Sequence, residues 1–597
     1  MFMKKNVFLP FLMIMAACSH EKVFDVADYG IKPNTENVTP LFARMMQDVA
    51  DCKTDKPIVI RFDSGTYHFY ESELSLREYY ISNHDQENPK KVGMALEHLR
   101  NVTIDGQGAD FVFHGRMLPV SLIHSENCTL KNFSIDFARP HIVQVEVLEN
   151  KGKDGIVFEL APYYNYRITE DEGFETFEAD AVCRPFTGIA FEPDTKHILY
   201  RTSDLNCDLS IVKPTAKSRV LYAPKWQDDR LKKGTFVALR TYYRPAPAVF
   251  LSEDKNVTLK NVKIHYAEGM GVLAQLCENI LLDSVSVCLK DSSRCFTTQA
   301  DATHFSGCKG KIVSKNGLYE NMMDDAINVH GTYLKLLSVV NDSTVEAAYM
   351  HPQTWGFKWG DAGDSVQFIK SETMDVLPTN YKIKTITPKN KNAKEFVITF
   401  DKPLAEELYA KDAFGMENLT WTPSVEFSNN VVRNNRARGA LFSTPREVKV
   451  LNNTFDHVSG AAILLCGDCN GWYETGACRN VLISGNKFEN VLTSLFQFTN
   501  AVISIYPEIP CLEKQNTYFH RNITITDNLF QTFDKPIVYA KSTDGLYFRN
   551  NTVIQTFDYD AYHSNTKRFW LQRVKNFCFE NNTFEQEFDY TTDVKEE

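Results

Sequence analysis

One short phrase recurs along most of this chain: an Asn, an alternation of apolar and polar residues, then a second Asn or Asp. Early copies are Asn101-Val-Thr-Ile-Asp105, Asn256-Val-Thr-Leu-Lys-Asn-Val-Lys-Ile264 and Asn279-Ile-Leu-Leu-Asp-Ser-Val-Ser-Val287. Later ones include Phe427-Ser-Asn-Asn430, Leu451-Asn-Asn-Thr-Phe455, Ile483-Ser-Gly-Asn-Lys-Phe488 and Phe548-Arg-Asn-Asn-Thr-Val553. Asn430 and Asn453 lie 23 residues apart, as do Asn528 and Asn551. Each phrase reads as a short period-2 strand, an Asn bend and another strand. One such strand cannot bury its apolar face alone, whereas stacked copies share a continuous core. Asn suits the bends because it tolerates left-handed backbone angles and can hydrogen-bond to the Asn one turn above. The expected fold is all-β, a right-handed parallel β-helix. A leucine-rich solenoid does not fit, since its Leu spacing and helical half-repeat are absent.

Two stretches, 138–245 and 332–421, lack the Asn phrase but alternate like strands, and each carries a similar late strand: Lys233–Arg240 and Gly363–Lys370. Both are expected to be small β-barrel insertions that loop out of the coil. The chain then divides into 1–18 as a signal, 19–137 as cap and first coils, 138–245 as the first insertion, 246–331 as central coils, 332–421 as the second insertion, and 422–597 as the last coils. At 597 residues the chain exceeds one ordinary globular core, and 43% hydrophobic content supplies an elongated one. The segments from Phe24 to Gly30, Thr39 to Gln47 and Val59 to Tyr67 resemble the opening of pectin-degrading β-helix enzymes, where a short helix covers the open end of the coil. An uncovered end would invite edge-to-edge association.

The N-terminus reads as an export signal: Lys4 and Lys5, an apolar run from Val7 to Met15, then Ala16-Ala17-Cys18. The run is too short to span a bilayer. Small residues before Cys18 resemble a bacterial lipobox, so Cys18 is the expected lipidation site and the protein is expected on a bacterial membrane, at the cell surface or in the periplasm. Cys466, Cys469 and Cys478 are read as a structural loop with one disulfide, because no partner pair completes a metal site. No metal or cofactor is expected. Net charge is −11 and no basic stripe occurs, which disfavours nucleic acid and suits a neutral, hydroxyl-rich ligand.

Asp301 and the pair Asp324-Asp325 are 23 residues apart at the nearer member, close to one repeat. Neighbouring turns of a coil stack at roughly 4.8 Å, so the three carboxylates are expected to converge. For both members of the pair to face a cleft, the chain must bend there, since consecutive strand residues face opposite sides. Three adjacent carboxylates do not all ionise freely, which leaves a protonated acid beside ionised bases, the pairing glycoside hydrolysis needs. Gln299, His304, Asn328, His330 and Arg438 are candidate sugar ligands, with Glu268 on the same wall a turn or two earlier. Trp355 and Trp359 are either sugar platforms or barrel core, and the second insertion is expected to wall the cleft.

Asp301-Ala-Thr-His-Phe305 and Asp324-Asp-Ala-Ile-Asn-Val-His-Gly331, with the two insertions, resemble glycoside hydrolase family 110 over nearly the whole mature chain. The resemblance implies an inverting exo-α-1,3-galactosidase acting on terminal α-galactosyl glycans, blood group B and linear epitopes among them. It gives Asp324 the general-acid role and Asp301 and Asp325 the attacking water, jointly or singly. Polygalacturonases resemble this triad, but their Asn-Thr-Asp, Gly-His-Gly and Arg-Ile-Lys motifs are missing. A lyase on the same fold and a non-catalytic carbohydrate-binding surface protein are the alternative readings.

Overall fold

Parallel strands stack turn upon turn in three ladders around one core in the computed structural model, which describes residues 21–71, 76–179, 181–410, 412–494 and 500–597. The expected signal and Cys18 lie outside those residues. One ladder carries the site. It runs through Val249–Ser252, Val272–Gln275, Thr303–Ser306, Ile327–Thr332, Ala440–Ser443 and Ile463–Leu465 in unbroken parallel register. Inward-facing residues form columns, as in Phe427, Phe455, Phe488 and Phe530, whose ring centroids follow at 6.4, 5.3 and 4.7 Å. Helix Thr39–Asp51 seals the first turn by burying Phe42, Met45, Met46 and Val49 against the same core.

The Asn bends do two different jobs. In the early turns Asn101, Asn127, Asn256 and Asn279 sit at φ of 55–59° and link side chain to side chain at 2.9–3.1 Å. In the late turns the left-handed position falls one residue earlier, at Asn429, Asn452 and Asn550. The following Asn points inward, and Asn430, Asn453, Asn486, Asn528 and Asn551 form a buried ladder in which each backbone N–H donates to the next Oδ1 at 2.9–3.0 Å. Each side-chain amide also donates to a strand carbonyl, as Asn486 Nδ2 does to Val450 O at 2.9 Å. A made hydrogen bond adds about 1 kcal/mol net, while an orphaned buried partner costs about 1–3 kcal/mol, so one truncation harms two turns.

The insertions are antiparallel. The second closes into a six-stranded barrel of Leu334–Asn341, Thr344–Ala348, Glu395–Phe400, Tyr381–Pro388, Ser365–Lys370 and Phe414–Asn418. The first is a seven-stranded sheet joined to a three-stranded one through a core around Trp226. Its strand Phe236–Arg240 lies between Thr187–Phe191 and Val143–Asn150 and carries the chain back to the coil. All thirteen cysteines among the described residues are free. The expected disulfide at Cys466, Cys469 and Cys478 is thus corrected: Cys469 Sγ faces Ser371 Oγ at 3.3 Å and Cys478 Sγ meets the Phe442 carbonyl at 3.4 Å.

Candidate active site

The register sets which side chains can meet. Thr303 pairs with Ile327 and Ile327 with Ala440. Counting two residues back, Asp301 lies beside Asp325, and Asp325 beside Arg438. The local repeat is therefore 24 residues (303 to 327), so Asp325 rather than Asp324 is the partner of Asp301 in the stack. Asp324 joins them because residues 321–326 form a bend between strands, held by Asn435 Nδ2 on the Asp324 carbonyl at 3.1 Å and Arg240 Nη1 on the Met323 carbonyl at 3.2 Å. Met322, Met323 and Ala326 turn inward to the core while both acids turn outward. Carboxylate oxygens of Asp301, Asp324 and Asp325 lie within 4.8 Å of one another.

Each acid has a different environment. Arg438 grips Asp325 twice, through Nη2 at 2.9 Å and its backbone N–H at 3.1 Å. Asp324 Oδ1 faces Arg436 Nη1 at 3.5 Å, and Arg436 is itself clamped by Asp204 at 2.7 and 2.9 Å. Asp301 Oδ2 meets His304 Nδ1 at 2.7 Å, His304 Nε2 meets His330 Nε2 at 2.8 Å, and His330 Nδ1 meets the Gly331 carbonyl at 2.6 Å. A carbonyl only accepts, so His330 Nδ1 carries a hydrogen. With both rings neutral, His304 Nε2 must then donate to His330, and His304 Nδ1 must accept from Asp301. Burial favours that neutral state by pulling both histidines down to about 4. The chain of bonds ends on a protonated Asp301.

The electrostatics agree. Burial, then the charge of Asp324, holds Asp301 well above the usual carboxylate range. Burial likewise raises Asp325, opposed by Arg438 and reinforced by Asp324 and Asp301. Burial also works to raise Asp324, but Arg436, Arg438, Arg244 and Arg240 outweigh it and hold that carboxyl below its ordinary value. Three coupled acids with opposed shifts form a proton-sharing cluster rather than three independent groups.

A cavity of ≈ 180 Å³ opens over the cluster. Six acids line it (Asp301, Asp324, Asp325, Asp468, Glu474 and Glu508) against four arginines (Arg240, Arg244, Arg436 and Arg438). Its remaining walls include Asn83, Tyr242, Trp472, Leu441 and Leu464. Burial, then Asp468, lifts Glu508 to about 7.

Of the expected ligands, His304, Asn328 and Arg438 line this cavity. His330 stands behind His304, and Gln299 lies outside too, its amide bonding the Thr241 carbonyl and so tying down the segment that bears Arg240, Tyr242 and Arg244. Glu268 turns away: Arg116 holds it at 2.6 and 2.7 Å and His141 lies 3.3 Å off. Trp359 belongs to the barrel core, its indole N–H on the Thr332 carbonyl at 2.9 Å, and Trp355 packs against that core. The expected wall from the second insertion is also corrected. No described residue of 332–421 lines the cavity; His351 instead backs the loop beyond, stacking on Trp472 with centroids 3.9 Å apart.

Local spelling hid the rest. Arg436 sits two residues before Arg438, a spacing that could have been noticed. Asp468, Trp472 and Glu474 belong to the loop between two Asn turns set 33 residues apart (453 to 486) rather than 23, and that surplus length was the available signal. Donor atoms of His304, His330 and Glu474 also lie within 4.8 Å of one another. The two Nε2 atoms of the histidine pair are 2.8 Å apart, at hydrogen-bond distance.

Family models for GLAA-B beta-barrel domains I and II match residues 143–237 and 344–414. A protein of Phocaeicola vulgatus named Alpha-1,3-galactosidase B is 57% identical over 580 residues, spanning 95% of this chain and 98% of that one. One of the same name from Bacteroides fragilis is 55% identical over 577 residues, spanning 95% and 97%. A Bacteroides fragilis protein named Alpha-1,3-galactosidase A is 32% identical over 603 residues, spanning 98% and 96%.

Proposed function

We propose, for a chain that belongs to the alpha-1,3-galactosidase B family, that it is an exo-acting, inverting glycosidase releasing terminal α-1,3-linked galactose from glycans such as blood group B and linear α-galactosyl epitopes. The observation that carries this is the trio Asp301, Asp324 and Asp325 gathered by successive turns under one small cavity. Loops on both flanks, Arg240–Arg244 and Cys466–Glu474, suit a chain end rather than a threaded polymer. The Asn-Thr-Asp, Gly-His-Gly and Arg-Ile-Lys motifs of polygalacturonases are missing from the chain, which argues against that reading.

In the mechanism the resemblance supports, Asp324 protonates the leaving oxygen while Asp301 and Asp325 hold the water that attacks the anomeric carbon. Asp325, stabilised by Arg438, takes the water proton, and Asp301 orients that water. Because the arginines keep Asp324 ionised in the free site, the reactive microstate with its proton on Asp324 is a minority form, and the limbs of the rate–pH profile belong to the cluster as a whole. The nearest carboxylate oxygens fall below the separation of about 6.5–9.5 Å by which inverting pairs are usually recognised. Inversion rests on the family resemblance. Proton NMR during hydrolysis of an α-1,3-galactosyl oligosaccharide tests it: β-galactose appears first under inversion, α-galactose first under retention, and no galactose refutes the activity. Lipidation at Cys18 rests on the Lys4 to Cys18 signal alone, and fatty-acid labelling lost in Cys18→Ala would support it.

A further inference from the structure

The mouth of the cavity has an aromatic lip that the chemistry at its floor does not use. Tyr242 lines the cavity yet is 49% exposed, and Phe186 is 51% exposed. Their rings meet edge to face with centroids 5.5 Å apart. Both come from the first insertion, where Thr187 pairs with Arg240 across adjacent strands, so the lip rests on a sheet rather than a free loop. The Arg240 guanidinium sits 5.4 Å from the centroid of the Tyr242 ring. Arg240 is itself buried, and its Nε finds no acceptor among the described residues.

Direction within the cavity decides what the lip faces. Asp301 points toward His304 and His330, on the flank closed by Glu474. Asp324 faces Arg436 at 3.5 Å and follows Met323, whose carbonyl Arg240 bonds. Through Arg240, which bonds the Met323 carbonyl, the lip is anchored beside Asp324. If Asp324 delivers the proton to the departing oxygen, the sugar attached to that oxygen must leave past Tyr242 and Phe186. Exposed aromatic rings in contact leave apolar surface in water that a pyranose C–H face would cover. Arg244, which also lines the cavity, supplies donors for its hydroxyls.

We propose that Phe186 and Tyr242, with Arg240 against the Tyr242 ring, form the subsite for the sugar from which galactose is cleaved. This rests on the hydrolytic reading above. It makes the first insertion the part of the chain that selects the acceptor sugar, while the coil performs the bond cleavage.

The test compares kcat/KM of the full-length enzyme on an α-1,3-galactosyl disaccharide and on α-galactosyl fluoride, whose leaving group is too small to reach the lip. Phe186→Ala and Phe186→Leu should lose roughly 10–100-fold on the disaccharide and no more than about twofold on the fluoride. Phe186→Tyr and Tyr242→Phe, which keep the ring faces, should retain the disaccharide rate to within about threefold. Equal losses on both substrates, or no loss on either, overturn the subsite. If the wild-type enzyme hydrolyses neither substrate, the hydrolytic reading fails first, which separates the two outcomes.

Discussion

Replacing Arg438 with Met removes the cation that holds Asp325 while keeping most of the side-chain volume. In the native site Arg438 holds the buried Asp325 through Nη2 at 2.9 Å, a contact the variant loses, and through its backbone N–H at 3.1 Å, which the variant keeps. Left alone and ionised, a buried carboxylate would cost about 3–5 kcal/mol. The protein avoids that cost by keeping the carboxyl protonated, and each unit by which its pKa then rises amounts to about 1.36 kcal/mol. Arg438 opposes the burial of Asp325, so its loss shifts Asp325 further upward. At mildly acidic pH the variant then lacks an ionised base and should lose roughly 10²–10⁴-fold in kcat/KM. As pH rises Asp325 ionises, so part of that loss should return, and the acid limb of the kcat/KM profile should move to higher pH. The assay is galactose release across pH, with melting temperature followed in parallel as a folding control. A uniform loss with an unmoved acid limb would refute the reasoning and make Arg438 a ligand of the sugar alone.

Asp301→Asn should raise the melting temperature near neutral pH while reducing turnover. The folded protein holds the Asp301 pKa above its unfolded value, so stability is greatest below that unfolded value and falls as pH rises toward the folded one; calorimetry should show the gain vanishing near pH 4. Asn486→Ala orphans Asn453 N–H, which donates to its Oδ1 at 2.9 Å, and the Val450 carbonyl, and should cost about 2–5 kcal/mol by thermal melt. Glu268→Gln breaks the Arg116 pair outside the cavity, so stability should fall by roughly 1–3 kcal/mol with kcat within about twofold of wild type.

The stacked coil was legible because its repeat has a physical cause visible in single residues. A left-handed bend and a side-chain ladder both call for Asn, and Asn430, Asn453, Asn486, Asn528 and Asn551 spell the late ladder turn by turn. The convergence of Asp301 with Asp325 followed from spacing, with an error of one residue: the repeat is 24 at that turn, and bends of variable length blur a 23-residue rule. Arg240, Arg244 and Glu508 were not legible, and Trp472 and Glu474 showed only as the surplus length of one turn. They arrive from insertions and long turns whose direction is set by packing, not by the repeat, as the stack of His351 on Trp472 illustrates. Glu268 misled for the same reason, since alternation gives a wall but not the partner, Arg116, that turns a side chain away from it.

Soaking galactose into crystals of Asp325→Asn most directly tests the claim that neighbouring turns of the coil bring these acids over one sugar. Galactose should occupy the cavity with its anomeric centre between Asp324 on one face and Asp301 and residue 325 on the other. Ordered galactose elsewhere on the protein, with this cavity empty at saturating sugar, would contradict the account.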